Sequence, residues 1–238
     1  MKSCIKRGNK LKNWEQKYRE IAVIVEKELS CSAHDMDHVW RVYNLAHRLV
    51  GEKDRVDIDI LLISALLHDI ARVKEDSDST GKINHAVLGA EMAEDILIGL
   101  GYPGEKIAKI KHCIISHRYR AEHEPQTIEA KLLFDADKLD VLGAVGVARS
   151  FMFAGKYSGK MYSDVPVDRY IRENLEGGKH NGKIKDISRH TPNLEFETKF
   201  VRISERLYTN AAKEIARERL EYMRGFFARL EKEISGMM

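Results

Sequence analysis

Apolar residues recur every three to four positions along most of the chain, which is the spacing of an amphipathic α-helix. The clearest case is the segment 195–235, whose apolar residues predict one long helix or two helices joined end to end. Only four prolines interrupt the chain, so long intervals keep this pattern. The pattern predicts an all-α protein in which the C-terminal segment closes the core or supports a homodimer.

Six further helices are predicted in the first 145 residues. Ser32 and Asp35 have the spacing of a capping box, and Asn84 is a favourable N-cap residue. The polar run 75–81 breaks the pattern and is predicted to be a solvated loop beside the presumed site. The predicted helices cover about residues 14–29, 32–49, 56–71, 85–97, 105–118 and 130–144.

The segment 155–193 departs from the helical pattern. It is rich in Gly, Lys, Tyr, Asp and Ser, with Gly177, Gly178 and Gly182 inside a basic stretch. This composition predicts an irregular insertion, either a lid over a neighbouring site or an inert linker.

Composition narrows the class of protein. The 238 residues, 43% of them hydrophobic, can bury one large core, and we expect a single domain over residues 1–238. The net charge of +3, from 40 basic and 37 acidic residues, does not indicate a nucleic-acid partner. Cys4, Cys31 and Cys113 are widely spaced, which argues against disulfides and structural zinc. With neither a signal peptide nor a membrane span visible, we expect a cytoplasmic protein that does not contact membranes.

The first candidate metal ligands are His68 and Asp69, which lie at the end of a predicted apolar helix. Burying this pair is costly without a partner, and a divalent cation accepts both imidazole and carboxylate ligands. The alternative is a hydrogen-bonded histidine at a helix end beside a capping aspartate. His34 and His38 share one face of the preceding helix, and we expect His38 rather than His34 to bind metal.

A second apolar helix carries three carboxylates, Asp135, Asp137 and Asp140. Asp137 and Asp140 are three residues apart and therefore neighbours on one face, whereas Asp135 points elsewhere. An internal ion pair with Lys138 is the alternative to a metal-binding role. Three further histidines lie between the two apolar helices, namely His85, His112 and His117. Each of them, considered alone, is interpreted as a surface or packed residue rather than a ligand.

Taken together, these motifs resemble the HD-domain superfamily of metal-dependent phosphohydrolases, in particular its stand-alone bacterial and archaeal branch. The resemblance covers about residues 30–155. It rests on His-Asp-x-x-His-x-x-Arg-Val at residues 34–42, Ala-Leu-Leu-His-Asp-Ile at 65–70, the histidine before Val-Leu-Gly-Ala at 85, and Asp-Ala-Asp-Lys-Leu-Asp at 135–140.

The resemblance implies a helical bundle whose His38, His68, Asp69 and Asp137 bind one divalent ion such as Mn²⁺, Mg²⁺, Co²⁺ or Fe²⁺. A second ion, bridged by Asp69, would draw on His85, His112 or His117. Of these, His85 and His117 are the two that we expect to bind a second ion or to contact the phosphate. The implied substrate is a nucleotide or another small phosphorylated metabolite. Asp69 is the expected catalytic carboxylate, and four basic residues are the expected phosphate contacts: Arg41, Arg72, Arg118 and Lys138.

One departure concerns the position three residues after the His-Asp pair. Some nucleotidases of the superfamily carry a glutamate there, where this chain has Arg72. Asp140 is the weaker substitute for that acid or base. Two other functions stay open, namely a di-iron oxygenase, which the superfamily also contains, and a catalytically silent nucleotide-binding protein.

Overall fold

The structure, a computed structural model, describes residues 16–29, 36–52, 54–118, 123–180 and 182–238. It confirms the all-α prediction, because the described residues form helices and a single isolated β-bridge between Leu175 and Ile184. The predicted helix start near Trp14, the capping box of Ser32 and Asp35, and His34 lie outside the described residues. Within the described ranges, every helix is too short or too polar to cross a membrane.

The chain divides into two compact units, one up to Phe134 and one from Asp135 onward. The first unit contains six complete helices: α1 (Gln16–Glu28), α2 (Met36–Leu49), α3 (Ile58–Leu67), α4 (Arg72–Ser77), α5 (His85–Gly99) and α6 (Gly104–Ser116). The division falls inside the next helix, α7 (Ile128–Asp140).

Helix α3 is central to the first unit, where it packs against α1, α2 and α6. Every residue from 60 to 67 is buried, because this stretch is apolar all round apart from Ser64. Asp57 begins the helix by accepting a hydrogen bond from the Ile60 amide at 3.1 Å. The helix is shorter than the predicted 56–71, since the chain turns after Leu67 and a separate short helix starts at Arg72.

The predicted loop at residues 75–81 is partly wrong. Glu75 lies in α4, and only the residues that follow Ser77 leave the helix. Asp78 organises this turn by accepting hydrogen bonds from the amides of Thr80, Lys82 and Ile83. Asn84 caps α5 as predicted, through a hydrogen bond from the Ala86 amide.

The second unit contains the helices α8 (Gly143–Lys156), α9 (Val167–Asn174), α10 (Pro192–Thr198) and α11 (Asn210–Ile234). The prediction of an irregular segment at 155–193 is wrong for α9. The buried residues Tyr170, Ile171 and Leu175 of this segment pack together with Leu194 in a small hydrophobic cluster of their own. Helix α9 is amphipathic, but its short length hides the pattern among glycines and lysines.

The C-terminal segment is interrupted, so of the two predictions for 195–235 the structure agrees with two consecutive helices rather than one long helix. A 3₁₀ stretch (Phe200–Arg206) separates α10 from α11, and Thr209 caps α11. The fully buried Asp135 fixes this junction, because its carboxylate accepts hydrogen bonds from the Tyr208 and Thr209 amides, each at 2.8 Å, and from the Thr209 hydroxyl.

Replacing Asp135 tests this anchor. We expect Asp135→Ala to lower the free energy of unfolding by about 2–4 kcal/mol, because it leaves two partly buried amide donors without this acceptor. Urea denaturation followed by circular dichroism measures the change. The matched control is Asp186→Ala, which removes an exposed carboxylate that caps a surface turn through the Ser188 amide. Equal losses for the two variants would contradict the anchoring role.

Asp59 in the first turn of α3 predicts a pH dependence of stability. Burial alone would raise its pKa, but hydrogen bonds from Lys17, Tyr18 and Lys106 lower the pKa of Asp59 well below its usual range. A depressed folded-state pKa stabilises the fold above the ordinary value near about 4, and this stabilisation is lost as pH falls.

We therefore expect Asp59→Asn to lower the free energy of unfolding at pH 7. The difference in free energy of unfolding between Asp59→Asn and the wild-type protein should narrow as the pH falls below about 4, because the carboxylate is then protonated. Denaturant titrations at a series of pH values measure this gap. A gap that is constant from pH 7 to pH 2 would contradict the ionised state assigned to Asp59.

Candidate metal centre

A cluster of buried imidazoles surrounds the carboxylate of Asp69. His38 comes from the first turn of α2, His68 lies at the C-terminal cap of α3, His85 begins α5, and His117 follows the last residue of α6. All five side chains are at least nine-tenths buried. Three of these histidines stand at helix ends, which places them beside one another where the helices begin or end.

The two oxygens of Asp69 face different histidine pairs. Oδ2 lies 3.6 Å from His38 Nε2 and 3.8 Å from His68 Nε2. Oδ1 lies 3.4 Å from His85 Nε2 and 3.5 Å from His117 Nε2. The carboxylate therefore lies between two sets of nitrogen donors and can serve both of them.

Within each pair, the two Nε2 atoms lie at ligand-to-ligand distances. They are 3.2 Å apart for His38 and His68, and 3.3 Å apart for His85 and His117. Two nitrogens bound at about 2.1 Å to one ion would be about 3.0–3.4 Å apart for right-angle to tetrahedral geometry. The spacing fits a divalent metal ion in each half of the cluster.

Hydrogen bonds at the opposite ring nitrogens set the tautomers. His68 Nδ1 donates to the Ala65 carbonyl at 2.9 Å, and His117 Nδ1 donates to the Ile114 carbonyl. A carbonyl can only accept, so the proton is on Nδ1 and the Nε2 lone pair points into the cluster. This is the arrangement in which a histidine ligates metal.

Glu75 performs the same task for His85. Its Oε2 accepts a hydrogen bond from His85 Nδ1 at 2.7 Å, and ion pairs with Arg72 at 2.9 Å and Arg118 at 3.2 Å hold the carboxylate in place. Burial, chiefly, lowers the pKa of His85 to about 4, so its ring is neutral at physiological pH. Burial opposes ionisation of Glu75, but its positively charged neighbours lower the pKa of that carboxyl below its ordinary value.

Sequence reasoning missed Glu75, because it placed this residue in a solvated charged run. The available signal was its position in the sequence, six residues after Asp69 and ten residues before His85, which begins the next helix. Arg72 and Arg118, expected phosphate contacts, lie beside the cluster but are paired with Glu75. Arg41 lies in α2, three residues after His38, and is partly buried.

His112 lies apart from the other histidines. Its Nε2 accepts a hydrogen bond from the Gln126 amide at 3.0 Å, and its ring is partly exposed. His112 lies in α6 and His117 caps its C-terminal end, five residues later, so the two side chains face different directions, as the sequence indicated. Among the described residues, His85 and His117 therefore form the pair that faces Asp69 Oδ1, and His112 does not take part.

The three aspartates of α7, Asp135, Asp137 and Asp140, belong to the second unit and are buried. Asp137 pairs with the neighbouring Lys138, which matches the ion pair considered from the sequence. Asp140 accepts a hydrogen bond from Arg149 Nη1 at 3.0 Å and is 1% exposed. Such a buried, paired carboxylate is poorly placed to exchange protons with a substrate.

Known proteins with this pattern identify the family. The model of the HD domain matches residues 36–142. Protein YpgQ of Bacillus subtilis is 30% identical over 237 residues, which cover 98% of this chain and 96% of YpgQ. The chain therefore belongs to the HD-domain superfamily, as its motifs indicated.

Solved structures extend the comparison. A crystal structure of YpgQ in complex with ADP has a TM-score of 0.66 and 29% identity, covering 91% of this chain and 94% of YpgQ. An HD-superfamily hydrolase from Bacillus thuringiensis has a TM-score of 0.67 and 28% identity, covering 92% of this chain and 97% of the hydrolase. The 3′-5′ exoribonuclease YhaM of Geobacillus is more distant, at 25% identity over 64% of this chain and 51% of YhaM.

The position of Asp69 predicts that its loss disrupts both halves of the cluster. We expect Asp69→Ala to lower the affinity for Mn²⁺ more than about 100-fold, because a ligating carboxylate contributes more than its supporting partners. Elemental analysis after Mn²⁺ loading and gel filtration measures the bound metal. His112→Ala is the control and should retain wild-type metal content, since its ring bonds to the Gln126 amide. Full metal content in Asp69→Ala would contradict the assignment.

Proposed function

We propose that the protein is a divalent-metal-dependent phosphohydrolase that acts on a phosphoester or phosphoanhydride of a nucleotide or another small phosphorylated metabolite. The arrangement of Asp69 between two pairs of imidazole Nε2 atoms carries this proposal. Membership of the HD-domain superfamily supports it, as does the hydrolase from Bacillus thuringiensis with a similar fold.

The proposed ligands of the first ion are His38, His68, Asp69 and Asp137. The three residues of the first unit are supported by their mutual geometry, and Asp137 by its place in the HD pattern and its burial on α7. His85 and His117, with Asp69 as the shared carboxylate, are the proposed ligands of a second ion. A bound divalent ion would polarise the P–O bond and lower the pKa of a coordinated water.

The protein side chains supply position and charge rather than covalent chemistry. Asp69 and the four histidines fix the ions in a buried cluster, which strengthens electrostatic contacts to a phosphate. Lys138 and Arg41 are the proposed phosphate contacts, whereas Arg72 and Arg118 are proposed to act mainly through Glu75. We do not assign Asp140 as general base, because it is buried against Arg149.

A nucleotide is the favoured substrate class. The support is the ADP complex of YpgQ, a protein that this chain matches over nearly its whole length. The relationship to the exoribonuclease YhaM also supports hydrolysis of a phosphate ester, but the chain spans only about half of that enzyme. A short single-stranded RNA therefore belongs among the substrates to be tested.

A di-iron oxygenase is the second candidate function, and one observation favours it. The second histidine pair on Asp69 would, with the proposed ligands of the first ion, complete the six ligands that a di-iron oxygenase of the superfamily needs. An oxygenase would purify with two irons and consume oxygen, whereas a phosphohydrolase would be restored by Mn²⁺ or Co²⁺ without oxygen. A catalytically silent protein would bind nucleotide without turnover.

The experiment is hydrolysis of nucleoside mono-, di- and triphosphates and a short RNA, with Mn²⁺, under anaerobic conditions. We expect release of phosphate or pyrophosphate from at least one nucleotide, loss of activity with a chelator, and recovery on adding Mn²⁺. Asp69→Ala should lower kcat/KM at least about 1,000-fold, since both ions depend on it. Metal-dependent oxygen consumption without phosphate release would favour the oxygenase.

A further inference from the structure

Four hydrogen-bonding groups converge on the carboxylate of Glu75. Oε2 accepts from His85 Nδ1 at 2.7 Å and from Arg72 Nη1 at 2.9 Å. Oε1 lies 3.3 Å from the backbone amide of His85 and 3.2 Å from an Arg118 nitrogen. Glu75 is thus held at both oxygens and contacts both the ring and the backbone of His85.

This contact decides which nitrogen of His85 carries the proton. A neutral imidazole has one N–H and one lone pair, and only the lone pair can bind metal. Arg72 Nη1, which can only donate, lies 3.0 Å from His85 Nδ1, but the Glu75 carboxylate is nearer, at 2.7 Å, and accepts a hydrogen bond from the Nδ1–H group. The lone pair of His85 Nε2 is then directed toward Asp69 Oδ1 at 3.4 Å. Without an acceptor at Nδ1, His85 could place its proton on Nε2 and lose its ability to ligate.

The two arginines give Glu75 a fixed position. Arg72 follows Asp69 by three residues, and Arg118 follows His117 directly, so both extend from the cluster itself. The Arg72 ion pair lies within α4, and the Arg118 ion pair ties α4 to the end of α6. The contact of Glu75 with His85 ties α4 to the start of α5. Paired guanidinium groups also offset the charge of a carboxylate that is largely removed from water.

We infer that Glu75 is a positioning residue that holds His85 as a ligand and thereby controls binding of the second metal ion. The inference rests on the proposed function, since it concerns the second ion of that site. Glu75 contacts His85, whereas Ala65 rather than Glu75 accepts the Nδ1 hydrogen bond of His68. Loss of Glu75 should therefore weaken binding on the Oδ1 side of Asp69 and spare the Oδ2 side.

The test is Mn²⁺ binding to the full-length protein with and without the Glu75 carboxylate. Isothermal titration gives the affinity of each ion, and electron paramagnetic resonance distinguishes an isolated Mn²⁺ from an exchange-coupled pair. In Glu75→Gln, we expect the weaker ion to bind about 10–100-fold less tightly, the tighter ion to bind as in wild type, and the coupled signal to be lost. Histidine ¹⁵N chemical shifts of the metal-free protein report the tautomer of His85.

Two further variants make the test specific. Asp76→Asn removes a neighbouring carboxylate that pairs with Arg72 at 3.6 Å but is not among the partners of the His85 ring, so it should behave as wild type. Glu75→Asp keeps the negative charge, but its shorter side chain moves the carboxylate away from His85 Nδ1. We expect its loss of affinity for the weaker ion to lie between wild type and Glu75→Gln. This variant keeps the test decisive if Glu75→Gln is poorly folded. Thermal melting of the metal-free proteins checks the fold of each.

The outcomes separate the inference from the proposed function. A wild-type protein that binds no Mn²⁺ would overturn the proposed function, and with it the role of Glu75. Two ions in the wild type with unchanged affinities in Glu75→Gln and Glu75→Asp would overturn the positioning role alone. A wild-type protein that binds only one ion would also overturn the positioning role. Equal weakening of both ions in the Glu75 variants would overturn it as well, because it would indicate a general structural effect.

Discussion

The buried carboxylate of Asp69 imposes the main constraint on the first unit. A charge with 5% exposure is costly unless positive or hydrogen-bonding groups surround it. Helices end or start at the carboxylate, so that His68, His85 and His117 approach it from three directions. Because their Nε2 atoms present lone pairs, these rings do not offset the charge themselves, and a divalent cation between the rings and the carboxylate would do so. The apolar α3 supports this arrangement, because its burial fixes where Asp69 emerges.

Much of this site was predictable because its signals are local in sequence. The apolar run that ends in His68 and Asp69 predicts a helix that delivers a polar pair to the interior. Asn84 predicts the start of α5, and hence the position of His85. The sequence suggested His85 and His117 as a second set, but it could not show that their Nε2 atoms lie 3.3 Å apart. That depends on how α5 packs against α6, which periodicity does not encode.

The predictions that were wrong concern short or interrupted elements. Helix α4 has only six residues, too few for a periodic pattern, and its charged residues look like solvated surface until Glu75 is seen beside His85. The break before α11 could not be predicted from periodicity, because apolar residues keep their helical spacing through the 3₁₀ stretch. Asp135, more than 70 residues earlier in the chain, sets that break by binding the Thr209 amide.

The sharing of Asp69 between two histidine pairs has a thermodynamic consequence. One negative charge faces both halves of the cluster, so an ion in one half reduces the charge available to the other. If both halves bind a divalent ion, as proposed, their occupancy is linked, and by reciprocity each ion would change the affinity of the other by the same factor. An anionic ligand bridging the halves would supply the missing charge, so the ligand and the second ion would bind cooperatively and the metal stoichiometry would depend on the concentration of that ligand.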